Sequence, residues 1–242
     1  LLQHALNVLA EVGGPAAKEN QFESYPDLYP GRTGSMLPFM IRLLDCEANY
    51  ILSKDLTFFF TLHSECVQTA KALKKDAEHL AQVLVNVERV FEIGSLHPEE
   101  SESLFHDLDE TKAEVWYQRA DEIAFSILTR QIQAREPLLG LQTISQLLPH
   151  YLENSHMLAI IIRLYVLLGD VKAAQKALNK LEKIAGADSQ IAIIHHGIWL
   201  ISQAEYQKAL DKFEIVMKID PYHMTAVNNA AICLTFLRNA QR

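Results

Sequence analysis

The sequence predicts an all-α fold, an α-α superhelix of stacked antiparallel helical hairpins. Three observations predict it. Between residues 154 and 221 helical periodicity comes in pairs, split by Gly169-Asp170 and closed by Asp220-Pro221. The pairs recur with a beat of about 34 residues, a period that marks stacked two-helix repeats. A small residue keeps the beat: Gly140, Ala174 and Ala209 stand one repeat apart, each in the second helix of a pair. Finally, the first helices are apolar on nearly all sides and the second are amphipathic. Ile160, Ile161, Ile162 and Leu164 crowd one first helix. In a second helix, Tyr206, Ala209, Leu210, Phe213 and Val216 oppose Lys208, Asp211, Lys212 and Glu214. A helix buried all round beside a half-exposed one is what stacking requires.

The elements follow in order. Residues 1–12 read as half a repeat, with Leu2, Leu6 and Leu9 on one face and Ala5 as the small contact; Gly13-Gly14 ends it. Its missing first helix would lie upstream, so the chain reads as a piece of something longer. Residues 15–34 form an aromatic and proline-rich loop, because Pro15, Pro26 and Pro30 forbid helix. Phe22, Tyr25 and Tyr29 within it call for packing, on the helices or on a partner. Residues 35–94 read as an atypical long hairpin. Ser35 would cap its first helix, and an apolar period runs from Phe58 to Phe91. Phe58-Phe59-Phe60 would need burial on several sides.

Residues 95–110 form an acidic connector. Repeats follow at 111–153, 155–186 and 189–221, with a truncated one at 223–242. Thr111 and Glu114 fit a capping box. Leu138, Leu141, Ile144 and Leu148 would form a buried stripe after Pro137. In the truncated repeat Val227, Ala230, Ala231 and Leu234 would form the buried face.

Composition narrows the function classes. The net charge is −8 and the pI about 5.7, with no stripe of Lys or Arg, so no nucleic-acid partner is expected. Cys46, Cys66 and Cys233 are widely spaced with no C-x-x-C, against both a disulfide framework and a zinc site. The most apolar run, residues 157–168, falls short of the roughly 20 residues a membrane span needs, so no transmembrane segment is expected. No catalytic, cofactor-binding or metal-binding constellation stands out. His195 and His196 point about 100° apart on a helix, so they cannot share a metal. One of them should be buried and hydrogen-bonded, the other at the surface. Gly31–Ser35 is spaced like a phosphate cradle, but no lysine follows it. The sequence therefore reads as a non-enzyme without cofactor.

Residues 189–222 resemble a tetratricopeptide repeat (TPR). Gly197 falls on the small position of the first helix. Tyr206, Ala209, Phe213 and Asp220-Pro221 fall on second-helix and turn positions. The preceding repeat keeps Tyr165, Gly169-Asp170, Ala174, Leu178 and Leu181, with Gly186 where the closing proline would be. The resemblance assigns repeat packing to Gly140, Ala174, Gly197, Ala209, Phe213 and Pro221.

Residues 24–39, Ser-Tyr-Pro-Asp-Leu-Tyr-Pro-Gly-Arg-Thr-Gly-Ser-Met-Leu-Pro-Phe, resemble a segment of the TPR-bearing subunit family of the metazoan trafficking protein particle (TRAPP) complex. Residues 228–234 resemble a later repeat of the same family, in the same order. The resemblance implies a non-catalytic scaffold of the TRAPP III assembly, which tethers membranes and activates a Rab GTPase in ER-to-Golgi transport and autophagy. It implies contacts with other TRAPP subunits, the large peripheral ones foremost. Rab contact would be indirect, through the complex, and the location cytoplasmic, peripheral to ER–Golgi membranes. On this reading Tyr25, Tyr29 and Arg32 pin the loop across the helices and shape a partner surface. Ile194 and Ile198, with Ala159 and Arg163, would line a groove. The alternative is a stand-alone adaptor gripping short peptides in that groove. The mostly apolar groove positions, and the adjacency of Asn228 and Asn229, speak against a carboxylate-gripping adaptor.

Overall fold

The computed structural model describes residues 11, 13, 14, 17–30, 34–73 and 113–240. Most of the half-repeat 1–12, the second half of the long apolar run, the acidic connector and the Thr111 cap lie outside the described residues. What is described is all-α: helical hairpins, three short 3-10 turns and no strand, with one isolated antiparallel bridge between Gln21 and Ser35. The fold class expected from the periodicity is thus correct. The chain divides into two compact units, residues 1–127 and 128–242.

In the first unit α1 (Phe39–Ser53) and α2 (Thr57–Ala72) form a hairpin. Lys54 ends α1 in the left-handed region at φ 59°, its N–H donating to Tyr50 O at 2.8 Å. Asp55 then opens α2, its Oδ1 accepting from the N–H and hydroxyl of Thr57 at 2.9 and 2.7 Å. Ser35 does not cap α1. Pro38 takes the cap position and restrains Leu37 before it, so the helix starts at Phe39. Ser35 instead accepts from Leu37 N–H at 3.2 Å. Of the three phenylalanines only Phe59 is buried, edge-on to Tyr50 at 6.4 Å; Phe58 and Phe60 are exposed. Successive residues diverge by about 100° on a helix, so one neighbouring helix covers only the middle ring. The start of α3 (Ala113–Gln133) adds Ala120, Ile123 and Ala124 to this unit's buried residues.

The second unit contains α4 (Pro137–Leu147), α5 (Ser155–Leu168), α6 (Val171–Ala185), α7 (Gln190–Ser202), α8 (Tyr206–Ile219) and α9 (Met224–Ala240). Each hairpin has its own cap. Asn154 Oδ1 accepts from His156 and Met157 N–H at 2.9 and 3.2 Å. Asp170 Oδ1 accepts from Ala173 N–H at 2.9 Å, and Ser189 Oγ from Ala192 N–H at 3.3 Å. Gly169, at φ 73°, makes the left-handed turn that folds α6 back on α5. α5 packs on α6, α7 on α8 and α8 on α9, while α5 and α7 touch each other across the stack.

The small residues of the beat are packed against their neighbours. Ala174 and Ala209 are fully buried. A Cβ on Gly140 would stand 3.3 Å from the Leu164 methyls and 3.4 Å from Leu128. Pro221 differs: it is exposed in the turn before α9, so it acts through its fixed φ and not through packing.

Two expected stripes are shifted. Ile144 on α4 and Leu148 just after it are buried, but Leu138 is exposed. On α9, the face against its neighbours is Ala226, Ala230 and Cys233, with Val227 and Leu234 exposed. Small side chains let α9 lie close to α8, so the helix turns its smallest face inward and leaves the bulkier flank uncovered.

Candidate protein-binding surfaces

The aromatic loop is organised by its own backbone. Phe22 N–H donates to Gly34 O at 3.0 Å, Met36 N–H to Asn20 O at 2.7 Å, and Gly34 N–H to Glu23 Oε1 at 2.8 Å. Tyr29 meets Phe22 edge-on, with ring centroids 5.1 Å apart. That aromatic contact is local to the loop. Tyr25 and Leu28 remain exposed. Arg32 lies outside the described residues.

α7 corrects the expected groove. Ile194 is only 4 % exposed and belongs to a core with Leu200, Leu210, Phe213, Val216, Ala226 and Ala230. Ile198 is half-buried against the same cluster. Both side chains are held by α8 and α9, whose apolar faces converge on α7. An apolar residue in a first helix is consumed by the stack unless it faces away from both neighbours.

A concavity that the pattern did not announce lies elsewhere. α4, the 3-10 turn Pro149–Glu153 and α5 border an open concavity of about 290 Å³ lined by Leu141, Ile144, Leu152, Ile161 and Tyr165, with Gln142 and Ser145 also on its wall. The trace of it in the sequence is the excess of apolar residues along α5.

The two histidines take separate environments. His195 is buried; its Nδ1 lies 2.7 Å from Ile191 O, and Arg163 Nε donates to its Nε2 at 3.2 Å. An arginine Nε only donates, so Nε2 accepts and Nδ1 carries the proton. Burial, chiefly, pushes the pKa of His195 down to about 4. His196 is half-buried, with Nδ1 3.1 Å from Glu182 Oε1 and its ring edge-on to Trp199 at 5.8 Å.

Unit one buries a polar cluster. Arg42 pairs with Glu65, and the Arg119 guanidinium lies 4.5 Å from the Phe39 ring centroid and 4.7 Å from that of Trp116. Burial pushes the Glu122 carboxyl up to about 7, and the thiols of Cys46 and Cys66 up to about 12 and about 11. Such thiols stay protonated and unreactive. Among the described residues no three His, Cys, Asp or Glu converge as metal ligands.

Fold and surfaces together define an all-α protein of stacked helical hairpins whose distinctive features are apolar surfaces. Over 98% of its length the chain is similar to Trafficking protein particle complex subunit 12 of Mus musculus, at 26% identity. It is similar to the same subunit of Homo sapiens at 25% identity, again over 98% of the chain. The resemblance read from residues 24–39 and 228–234 is borne out. The chain spans 29% and 31% of the length of these two relatives. No family model matches it, and no solved structure does.

Proposed function

We propose that this chain is a non-catalytic scaffold within a TRAPP III assembly, the membrane-tethering and Rab-activating complex of ER-to-Golgi transport and autophagy. It holds other subunits, the large peripheral ones foremost, through the surfaces of its helical hairpins. Contact with the Rab GTPase is indirect, and the protein acts in the cytoplasm at ER–Golgi membranes. The observation that carries this reading is collinear similarity to subunit 12 along almost the whole chain. Among the described residues no helix is long and apolar enough to cross a membrane, consistent with peripheral attachment. The alternative adaptor reading draws less support: Ile194 is buried in the core, and a shallow concavity of about 290 Å³ holds a few side chains rather than an extended peptide.

Affinity purification of the protein containing this chain, followed by mass spectrometry, tests the proposal. TRAPP subunits in near-equal amounts are the expected result. A set of unrelated proteins sharing one short motif, with TRAPP subunits absent, would replace scaffold by adaptor.

A further inference from the structure

Arg163 lies on α5, and its Nε is tied to His195 on α7 at 3.2 Å. Among the described residues this is the hydrogen bond that holds it, and no carboxylate there lies within ion-pair distance. The tie is to a neutral ring, so the full positive charge of Arg163 stays uncompensated while one edge of the guanidinium is fixed. Both η nitrogens are left for another acceptor. His156 is the other titratable group among the described residues that acts on His195, and no carboxylate does. A cationic spot thus persists in a chain whose net charge is −8.

The surroundings are apolar. Ala159, Val166 and Leu167 stand at helical spacing from Arg163 on α5; Ala159 is buried and Val166 half-buried on the core, and Leu167, one turn after Arg163, is exposed. On α7, Ile191 lies one turn before His195 and is half-buried, while Ile198, one turn after it, is taken up by the core with α8 and α9. A partner covering this face would strip water from an unpaired cation, at considerable cost. A partner carrying a carboxylate there recovers the cost through charge-assisted bonds to a pre-oriented fork.

Resting on the reading that the chain works by protein contacts, we propose that Arg163, oriented by His195, receives the carboxylate of an aspartate or glutamate set within an apolar segment of a partner protein. The buried imidazole is the positioning group: it accepts from Nε at neutral pH and stays neutral through mildly acidic pH. Arg163 is the group that touches the partner.

The test uses the full chain and an array of acetylated, amidated 12-residue peptides. Their apolar positions vary around one central residue, which is Glu in one member of each pair and Gln in the other. At least tenfold stronger binding of some Glu peptides over their Gln partners is expected. Arg163→Gln should abolish that ratio, and Arg163→Lys should retain only part of it, because lysine keeps the charge but loses the Nε tie. Unchanged circular dichroism of the variants shows that folding is intact. The proposal is overturned if wild-type chain binds no peptide, if Glu and Gln members bind alike, or if the ratio survives in Arg163→Gln. Each of these can occur with TRAPP subunits still recovered in the purification, so this failure and that of the scaffold reading are distinguishable.

Discussion

The ring of Phe213 on α8 fills the space where a side chain at residue 197 of α7 would begin. A Cβ on Gly197 would stand 2.6 Å from Phe213 Cζ and 2.7 Å from Cε1. Phe213 is fully buried, so its ring has little room to retreat. Gly197→Ala therefore pits two effects against each other. Alanine gains about 1 kcal/mol in helix propensity, while overpacking costs about 1–3 kcal/mol. Net destabilisation is expected in urea unfolding, with part of the loss restored by adding Phe213→Leu. A Gly197→Ala variant more stable than the parent would show that α7 and α8 do not meet this closely.

Ala209 provides the second test of close packing. It is fully buried, and a Leu there adds three carbons with no space for them. Ala209→Leu should cost about 1–3 kcal/mol. Its neighbour Lys208 has a side chain 67 % exposed, so Lys208→Leu should change stability by less than about 0.5 kcal/mol. Equal melting temperatures for the two variants would refute the repeat phase.

Glu122 makes stability depend on pH. Burial raises its pKa from 4.5 to about 7, against the opposing pull of the Gln118 hydrogen bond and Arg119. The folded state therefore holds a proton that the unfolded chain has released. This contribution is complete below pH 4.5 and is lost as pH rises through about 7. Glu122→Gln should raise the melting temperature at pH 8 and leave it nearly unchanged at pH 4.5. A gain of the same size at both pH values would place the cause elsewhere.

His195 acts with the opposite sign. Its pKa is lowered from 6.5 to about 4, so the unfolded chain takes up a proton first. Its contribution is complete above pH 6.5 and is lost as pH falls through about 4. His195→Gln, which keeps an acceptor for Arg163, should flatten that limb of the stability profile. Acid sensitivity identical to wild type would contradict the buried neutral ring.

For the loop, the triple variant Tyr25→Ala, Tyr29→Ala, Arg32→Ala should reduce recovery of partner subunits while helicity is kept. Tyr25 is already exposed and Tyr29 leans on Phe22, so little of the helical core depends on them. Undiminished co-purification would remove the loop from the partner surface.

Much of the candidate surface escaped the sequence. For Tyr25 the sequence asks for packing on the helices or on a partner, and only the folded loop leaves it exposed. Ile194 could not be placed, since Ile193, Ile194 and Ile198 look alike until two neighbouring helices choose among them. The α4–α5 concavity left only a trace, an excess of apolar residues on α5. Nothing local ties Arg163 to His195 across 32 residues.

Residue order was sufficient for what is local. Helix–turn–helix pairs and the spacing of Gly140, Ala174 and Ala209 follow from backbone geometry that each short stretch imposes on itself. Similarity to subunit 12 was also legible there, in residues 24–39. Only the assembled stack decided which apolar side chains face water: it sent Ile194 inward, left Leu138, Val227 and Leu234 out, and set a charged guanidinium on a neutral ring. Periodicity states which residues share a face of a helix. Burial depends on what lies against that face, and that is a property of neighbours distant in the chain.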